Sequence, residues 1–229
     1  MQFQQLHPWD LTPKEARQLQ NELRTRVLKI DQFQDIKTVA GVDIGLKKDK
    51  ALAAVMVLNL TDLQIIDGVV AESRITFPYV PGLLSFREIP PLLVAFSHLQ
   101  TKPDLVIVDG QGLAHPRRFG LASHLGLILN IPTIGCAKSR LCGEYTQPEK
   151  QKGSYTHITD KNEIIGVALR TRTDVSVVYV SIGHKISLSS ARKLTLACCD
   201  KYRLPETTRY AHKAATGKML EGLHYVNAA

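Results

Sequence analysis

Long apolar runs are missing from this chain. The longest, Ala51 to Leu58, falls short of the ~20 residues that cross a bilayer, so no membrane segment is expected. The opening residues, Met-Gln-Phe-Gln-Gln-Leu-His-Pro-Trp-Asp, lack a basic region running into an apolar stretch. No secretory leader is expected, and the location reads as cytoplasmic. Cysteine is scarce, with four in 229 residues. Cys198 and Cys199 are adjacent, Cys136 and Cys142 are six apart, and no CxxC spacing occurs. That excludes a disulfide scaffold and a zinc site of the usual spacing, and fits reduced thiols. Internal repeats, low-complexity stretches and Gly/Ser linkers are also absent, which favours a single domain over residues 1–229.

What is present is an ordinary globular composition with a basic surplus. Lys and Arg total 29 against 21 Asp and Glu, a net charge of +8. Such a charge favours a polyanionic partner without proving one. Thr12-Pro13-Lys14-Glu15 reads as a helix start: an N-cap, a proline at the first helical position and a capping-box acid. Ala16, Leu19, Leu23, Val27 and Ile30 follow at helical spacing. Three β-rich runs come next, Thr38–Ile44, Ala51–Leu60 and Leu63–Ser73, joined by short connections that imply antiparallel hairpins. Ser85–Leu99 reads as a helix that Pro90-Pro91 must start or kink. The apolar run Leu105–Val108 reads as a strand buried on both faces. Helices at Leu121–Leu129, Leu188–Cys199 and Thr207–Lys218 alternate with strands at Thr133–Cys136, Ile164–Leu169 and Val175–Ile182. The expected class is α/β, a mixed sheet with its first three strands antiparallel and helices on its faces.

Acids stand where apolar residues are expected. Asp43 lies inside Val39-Ala40-Gly41-Val42-Asp43-Ile44, Asp109 ends the strand Leu105–Val108, and Glu88 lies in Phe86-Arg87-Glu88-Ile89-Pro90. A carboxylate in a central strand is costly unless it is paired or binds a cation. Each acid has a structural alternative: a pair between Asp43 and a lysine such as Lys37, a turn at Asp109-Gly110, a pair between Glu88 and Arg87. A sheet can nevertheless bring Asp43 and Asp109 onto adjacent strands. Two or three carboxylates at strand ends make an all-oxygen site for Mg²⁺ or Mn²⁺, and such ions suit phosphodiester hydrolysis.

Four further segments stand out. Asp109 to Gly126 packs four glycines with His115, Arg117, Arg118 and His124. Glycines admit close backbone approach, and arginines can clamp phosphate. Phe77-Pro78-Tyr79-Val80-Pro81-Gly82 holds a tyrosine between two prolines, a stiff turn that can stack on a base or push into a duplex. Arg209-Tyr210-Ala211-His212-Lys213 places His212 on a late helix as a possible acid/base. Lys138 follows a strand in Gly135-Cys136-Ala137-Lys138 and could hold a phosphate or the attacking water.

Together these segments resemble the endonuclease V family of deoxyinosine-specific endonucleases. The matching pieces run in order from Val39 to His212, with no departure at a catalytic position; the tail after Lys218 carries no motif. The resemblance implies an RNase H-like fold. It implies a Mg²⁺-dependent enzyme, with Mn²⁺ able to substitute, that cuts DNA at the second phosphodiester bond 3′ to deoxyinosine and leaves 3′-hydroxyl and 5′-phosphate ends. Asp43 and Asp109 are then the metal ligands. Glu88 and His212 complete the site through water, a second ion or proton transfer, and Lys138 contacts the cleaved region. Pro78, Tyr79, Val80 and Pro81 form the strand-separating wedge. Backbone near Gly82, Leu84 and Gly110 lines the pocket for the flipped base, and His115, Arg117 and His124 make other DNA contacts. The implied partner is DNA carrying deoxyinosine or other deaminated or mismatched bases, bound by a monomer. Two alternatives stand beside it: an endoribonuclease for inosine in RNA, and a non-catalytic binding module for distorted DNA. The basic surplus is expected around the acids, with Arg117, Arg118 and Lys138 nearest in sequence.

Overall fold

The structure, a computed structural model, describes residues 1–47, 50–218, 220 and 223–227. Residues 48 and 49, in the first expected turn, lie outside them. Helix α1 (Pro13–Leu23) opens with a full capping box: Thr12 N–H donates to Glu15 Oε2 at 2.7 Å and Glu15 N–H donates to Thr12 Oγ1 at 3.3 Å. The apolar stripe stops sooner than its spacing suggests. Arg24–Arg26 tighten into a 3₁₀ turn, Val27 is buried in extended backbone, and Ile30 is exposed.

A mixed sheet follows, built from β1 (Thr38–Lys47), β2 (Lys50–Asn59), β3 (Ile65–Arg74), β4 (Leu105–Val108), β5 (Thr133–Ala137), β6 (Tyr155–Asp160), β7 (Glu163–Leu169), β8 (Val178–His184) and β9 (Leu223–Asn227). Its order is β6-β7-β8-β5-β4-β1-β2-β3-β9. Strands β1, β2 and β3 are antiparallel, β1, β4 and β5 are parallel, and β8 returns antiparallel to β5. This is the expected RNase H-like arrangement. Two strands lay outside the expectation. β6 pairs antiparallel with β7, and β9, in the tail after Lys218, pairs parallel with β3.

Alternation along the central strands divides the core. Ala53, Val55 and Val57 of β2 join Ala40 and Val42 of β1 against α2 (Leu84–Ser97) and α3 (Leu121–Leu129). Ala54, Met56 and Leu58 face the other way, onto α5 (Glu206–Ala215). In β4, Val106 and Val108 join the first cluster while Leu105 and Ile107 join a second with Ile134, Val180 and Ala191 of α4 (Leu188–Ala197). Each buried valine, leucine, isoleucine or methionine among them contributes about 1.5–3 kcal/mol. Pro90 and Pro91 neither start nor end α2, which runs through both. Their missing N–H groups cost two helical bonds, offset by the packing of Ile89, Leu92 and Phe96 in the first cluster. No helix among the described residues is long and apolar enough to cross a membrane.

Candidate active site

The parallel strands β1, β4 and β5 end on one side of the sheet. Val42 is level with Val108, and Val108 with Gly135. Asp43 and Asp109 therefore stand side by side, one residue beyond a shared register position, and Lys138 follows β5 immediately. In open α/β sheets this carboxyl edge is where ligands bind.

Asp43 shares its face of β1 with Gly41 and Gly45, and both glycines are there because α5 crosses at contact distance. A Cβ on Gly41 would lie 2.1 Å from the Thr207 carbonyl carbon, and one on Gly45 would lie 2.1 Å from Ala215 O. The helix is thus seated by two glycines two residues either side of the acid. That seating puts His212 Nδ1 2.7 Å from Asp43 Oδ2. The carboxylate accepts from Nδ1–H, so in the neutral ring Nε2 is the proton acceptor. Asp109 Oδ2 is paired with Lys138 Nζ. Two of the structural alternatives fail: the partner of Asp43 is His212, and Arg87 donates to Phe77 O at 2.9 Å, while the chain does bend at Asp109-Gly110.

Glu88, from the first half of α2, faces both aspartates. Burial, then the charges of Asp43 and Asp109, push its carboxyl up to about 8, against a smaller opposing pull from Arg87. Like charges brought together in a partly desolvated place disfavour ionisation. A divalent cation would relieve that repulsion, and the donors are all oxygen, so these residues fit Mg²⁺ or Mn²⁺. Among the described residues no three side chains already stand in metal-binding geometry; here the aspartates hold His212 and Lys138 instead.

Beside the acids lies a cleft of about 460 Å³, lined by Tyr79, Gly82, Leu84, Ser85, Asp109, Gly110, His115, Lys138 and others. Its rim is the Pro78–Pro81 turn. Tyr79 is 71% exposed, whereas Phe77 below it is buried against Leu83 and Phe86. Gly82 has φ of +77°, a conformation that favours glycine, and its carbonyl accepts from Gln20 Nε2 at 3.0 Å and Arg117 Nη2 at 2.7 Å. The exposed tyrosine therefore stands on a clamped loop.

Three expected DNA contacts turn out differently placed. Arg117 is committed to Gly82 and to Gln20 Oε1 at 2.5 Å, so its guanidinium holds the turn. His124 is fully buried between His7, Trp9, Phe86 and Phe119, which is at odds with direct contact to DNA. His115 is nearly buried on the cleft wall, where burial and then the Arg117 charge lower its pKa to about 4. Arg118 is bonded to Asp160 and Glu163 and adds little free charge near the acids.

Gln20 escaped the sequence reading, although a polar residue inside the apolar stripe of α1 was a usable signal. Ser85 escaped it too. It lines the cleft, and its hydroxyl meets His124 Nδ1 at 3.0 Å.

The Endonuclease V family model matches residues 21–213. Endonuclease V of Nostoc sp. is 54% identical over 221 residues, covering 95% of this chain and all of the relative. The crystal structure of endonuclease V from Streptomyces avermitilis superposes with a TM-score of 0.87 at 43% identity, covering 91% of this chain and 93% of that one. A Ciona intestinalis endonuclease V, solved with a 24mer DNA containing an inosine followed by a ribo-adenosine, gives 0.79 at 29% identity, covering 89% and 95%. The chain belongs to the endonuclease V family.

Proposed function

We propose that this chain is a lesion-directed DNA endonuclease that hydrolyses the second phosphodiester bond 3′ to deoxyinosine in a Mg²⁺-dependent reaction. The observation that carries the reading is the junction of two features at Asp109. This acid belongs both to the carboxylate cluster and to the lining of the cleft below Tyr79. The inosine-containing DNA bound by the Ciona relative supports the same substrate class.

Each group then has a task. Tyr79, exposed on its clamped turn, fills the gap left by an extruded base, which costs a few kcal/mol to unstack. The cleft takes the base, with backbone at Gly82, Leu84 and Gly110 along its wall. Asp43 and Asp109 would hold the ion, with Glu88 completing the set directly or through water. The ion, when bound, polarises the phosphoryl oxygen and stabilises the leaving oxygen. Lys138, released from Asp109, faces the scissile phosphate. His212, oriented by Asp43, offers Nε2 to take or pass on a proton. Water adds to phosphorus and the P–O3′ bond breaks, leaving a 3′-hydroxyl and a 5′-phosphate.

One observation favours a second reading. The nucleotide following inosine in the Ciona complex is a ribo-adenosine, which suits an enzyme acting on inosine in RNA. Matched DNA and RNA oligonucleotides with a single inosine decide between them. Faster cutting of DNA is expected, and much faster cutting of RNA would overturn the substrate assignment. A purely binding role is disfavoured by the intact acid set.

A further inference from the structure

Behind the cleft runs a chain of hydrogen bonds whose direction can be read from one end to the other. His7 Nδ1 lies 2.7 Å from Pro8 O. A carbonyl only accepts, so Nδ1 carries the proton and Nε2 of the neutral ring is an acceptor. His7 Nε2 is 2.8 Å from His124 Nε2, which must therefore donate. His124 Nδ1 is then the acceptor, and its partner at 3.0 Å is Ser85 Oγ. The serine hydroxyl must donate to it. Its proton is thus turned inward, and only lone pairs remain for a ligand in the cleft that Ser85 lines. Both rings are held neutral by burial, which lowers the pKa of His7 and puts that of His124 well below its usual value. His124 is fully buried, which shields both of its ring hydrogen bonds from bulk water.

We propose that Ser85 Oγ is a side-chain acceptor for the ring N1–H of the bound hypoxanthine, with His124 and His7 as positioning residues that set its polarity. This rests on the functional reading above and adds a residue to it. Hypoxanthine has a proton on N1, whereas a purine with a bare N1 would set its lone pair against that of Ser85. The α2 register places the serine immediately after Leu84 on the cleft wall, and buried His124 with its partner His7 gains a purpose that direct DNA contact could not supply.

The test compares two duplexes, one with a single deoxyinosine and one with a single deoxynebularine, whose N1 has no proton. The readout is the ratio of kcat/KM for the two, which is independent of the folded fraction of any variant. Wild type should prefer deoxyinosine. Ser85→Ala should lower deoxyinosine cleavage about tenfold and change nebularine little, so the ratio falls about tenfold. His7→Phe keeps a ring in the aromatic cluster but frees His124 to donate to Ser85, so the ratio should fall with the serine still in place. Ser85→Thr, which keeps the hydroxyl, should retain the preference. An unchanged ratio in Ser85→Ala or in His7→Phe overturns the proposal. Failure of wild type to cut the deoxyinosine duplex would instead overturn the functional reading, and this assignment with it.

Discussion

Glu88 shows most plainly what a single residue reveals about this site. Its carboxyl is raised to about 8 by burial and by two neighbouring aspartates, while an unfolded glutamate titrates near its ordinary value of 4.5. The folded, metal-free protein therefore holds a proton that the unfolded chain releases between those values. Stability contributed by that proton is complete below about 4.5 and is lost as pH rises toward 8. In EDTA, the urea midpoint should fall between pH 5.5 and pH 8, and Glu88→Gln should flatten that part of the decline. Added Mg²⁺ should restore stability at pH 8 in wild type. A midpoint in EDTA that rises over this range would contradict the assignment. Tyr79 makes a different kind of prediction, because its side chain is largely exposed. Tyr79→Ala should weaken lesion binding by about 1–3 kcal/mol, the range of stacking losses, with melting unchanged. An equal Kd at fixed salt would count against a wedge.

At the scale of elements, β1 and α5 make the site together. Gly41, Asp43 and Gly45 occupy one face of one strand, and α5 lies against the two glycines. Gly41→Ala puts a methyl carbon into the backbone of Thr207, so the helix must retreat and carry His212 from Asp43. A loss of about 1–3 kcal/mol in stability is expected, as for overpacking elsewhere, together with a fall in cleavage rate greater than the folded fraction explains. Retention of full activity would show that His212 need not sit on Asp43. The alternation of small and acidic residues in β1 was legible, and so were the buried strand at Leu105–Val108 and the helices that bear Glu88 and His212. β6 and β9 were not, for a physical reason. They are edge strands with one buried residue between them, Ile158, so neither carries an apolar period. The roles of Arg117 and His124 were hidden differently. Sequence shows a cation and an imidazole near glycines, but their direction depends on Gln20, Gly82 and His7, which are distant in sequence and are brought together only by the fold.

For the whole molecule, the net charge is +8. Arg118 is bonded to two acids and Arg117 to the turn, so the cations nearest the site in sequence are largely structural. Arg118→Ala should leave the slope of log Kd against log salt nearly unchanged while lowering stability by about 1 kcal/mol, the upper end for partly exposed pairs. A slope reduced by one phosphate contact would show that Arg118 leaves its acids for DNA. Lys138 differs, because its partner Asp109 is an acid the ion would take over. The central claim is that the adjacent acids, Asp43 within β1 and Asp109 at the end of β4, hold the ion that cuts DNA addressed by the neighbouring cleft. Its most direct test is cleavage of a duplex with one deoxyinosine, in Mg²⁺ and in EDTA, with product ends mapped. Wild type should nick only with Mg²⁺, at the second bond 3′ to the lesion, and Asp43→Ala should lose about a thousandfold in rate while still binding. Nicking that persists in EDTA, or full activity of Asp43→Ala, would contradict the account.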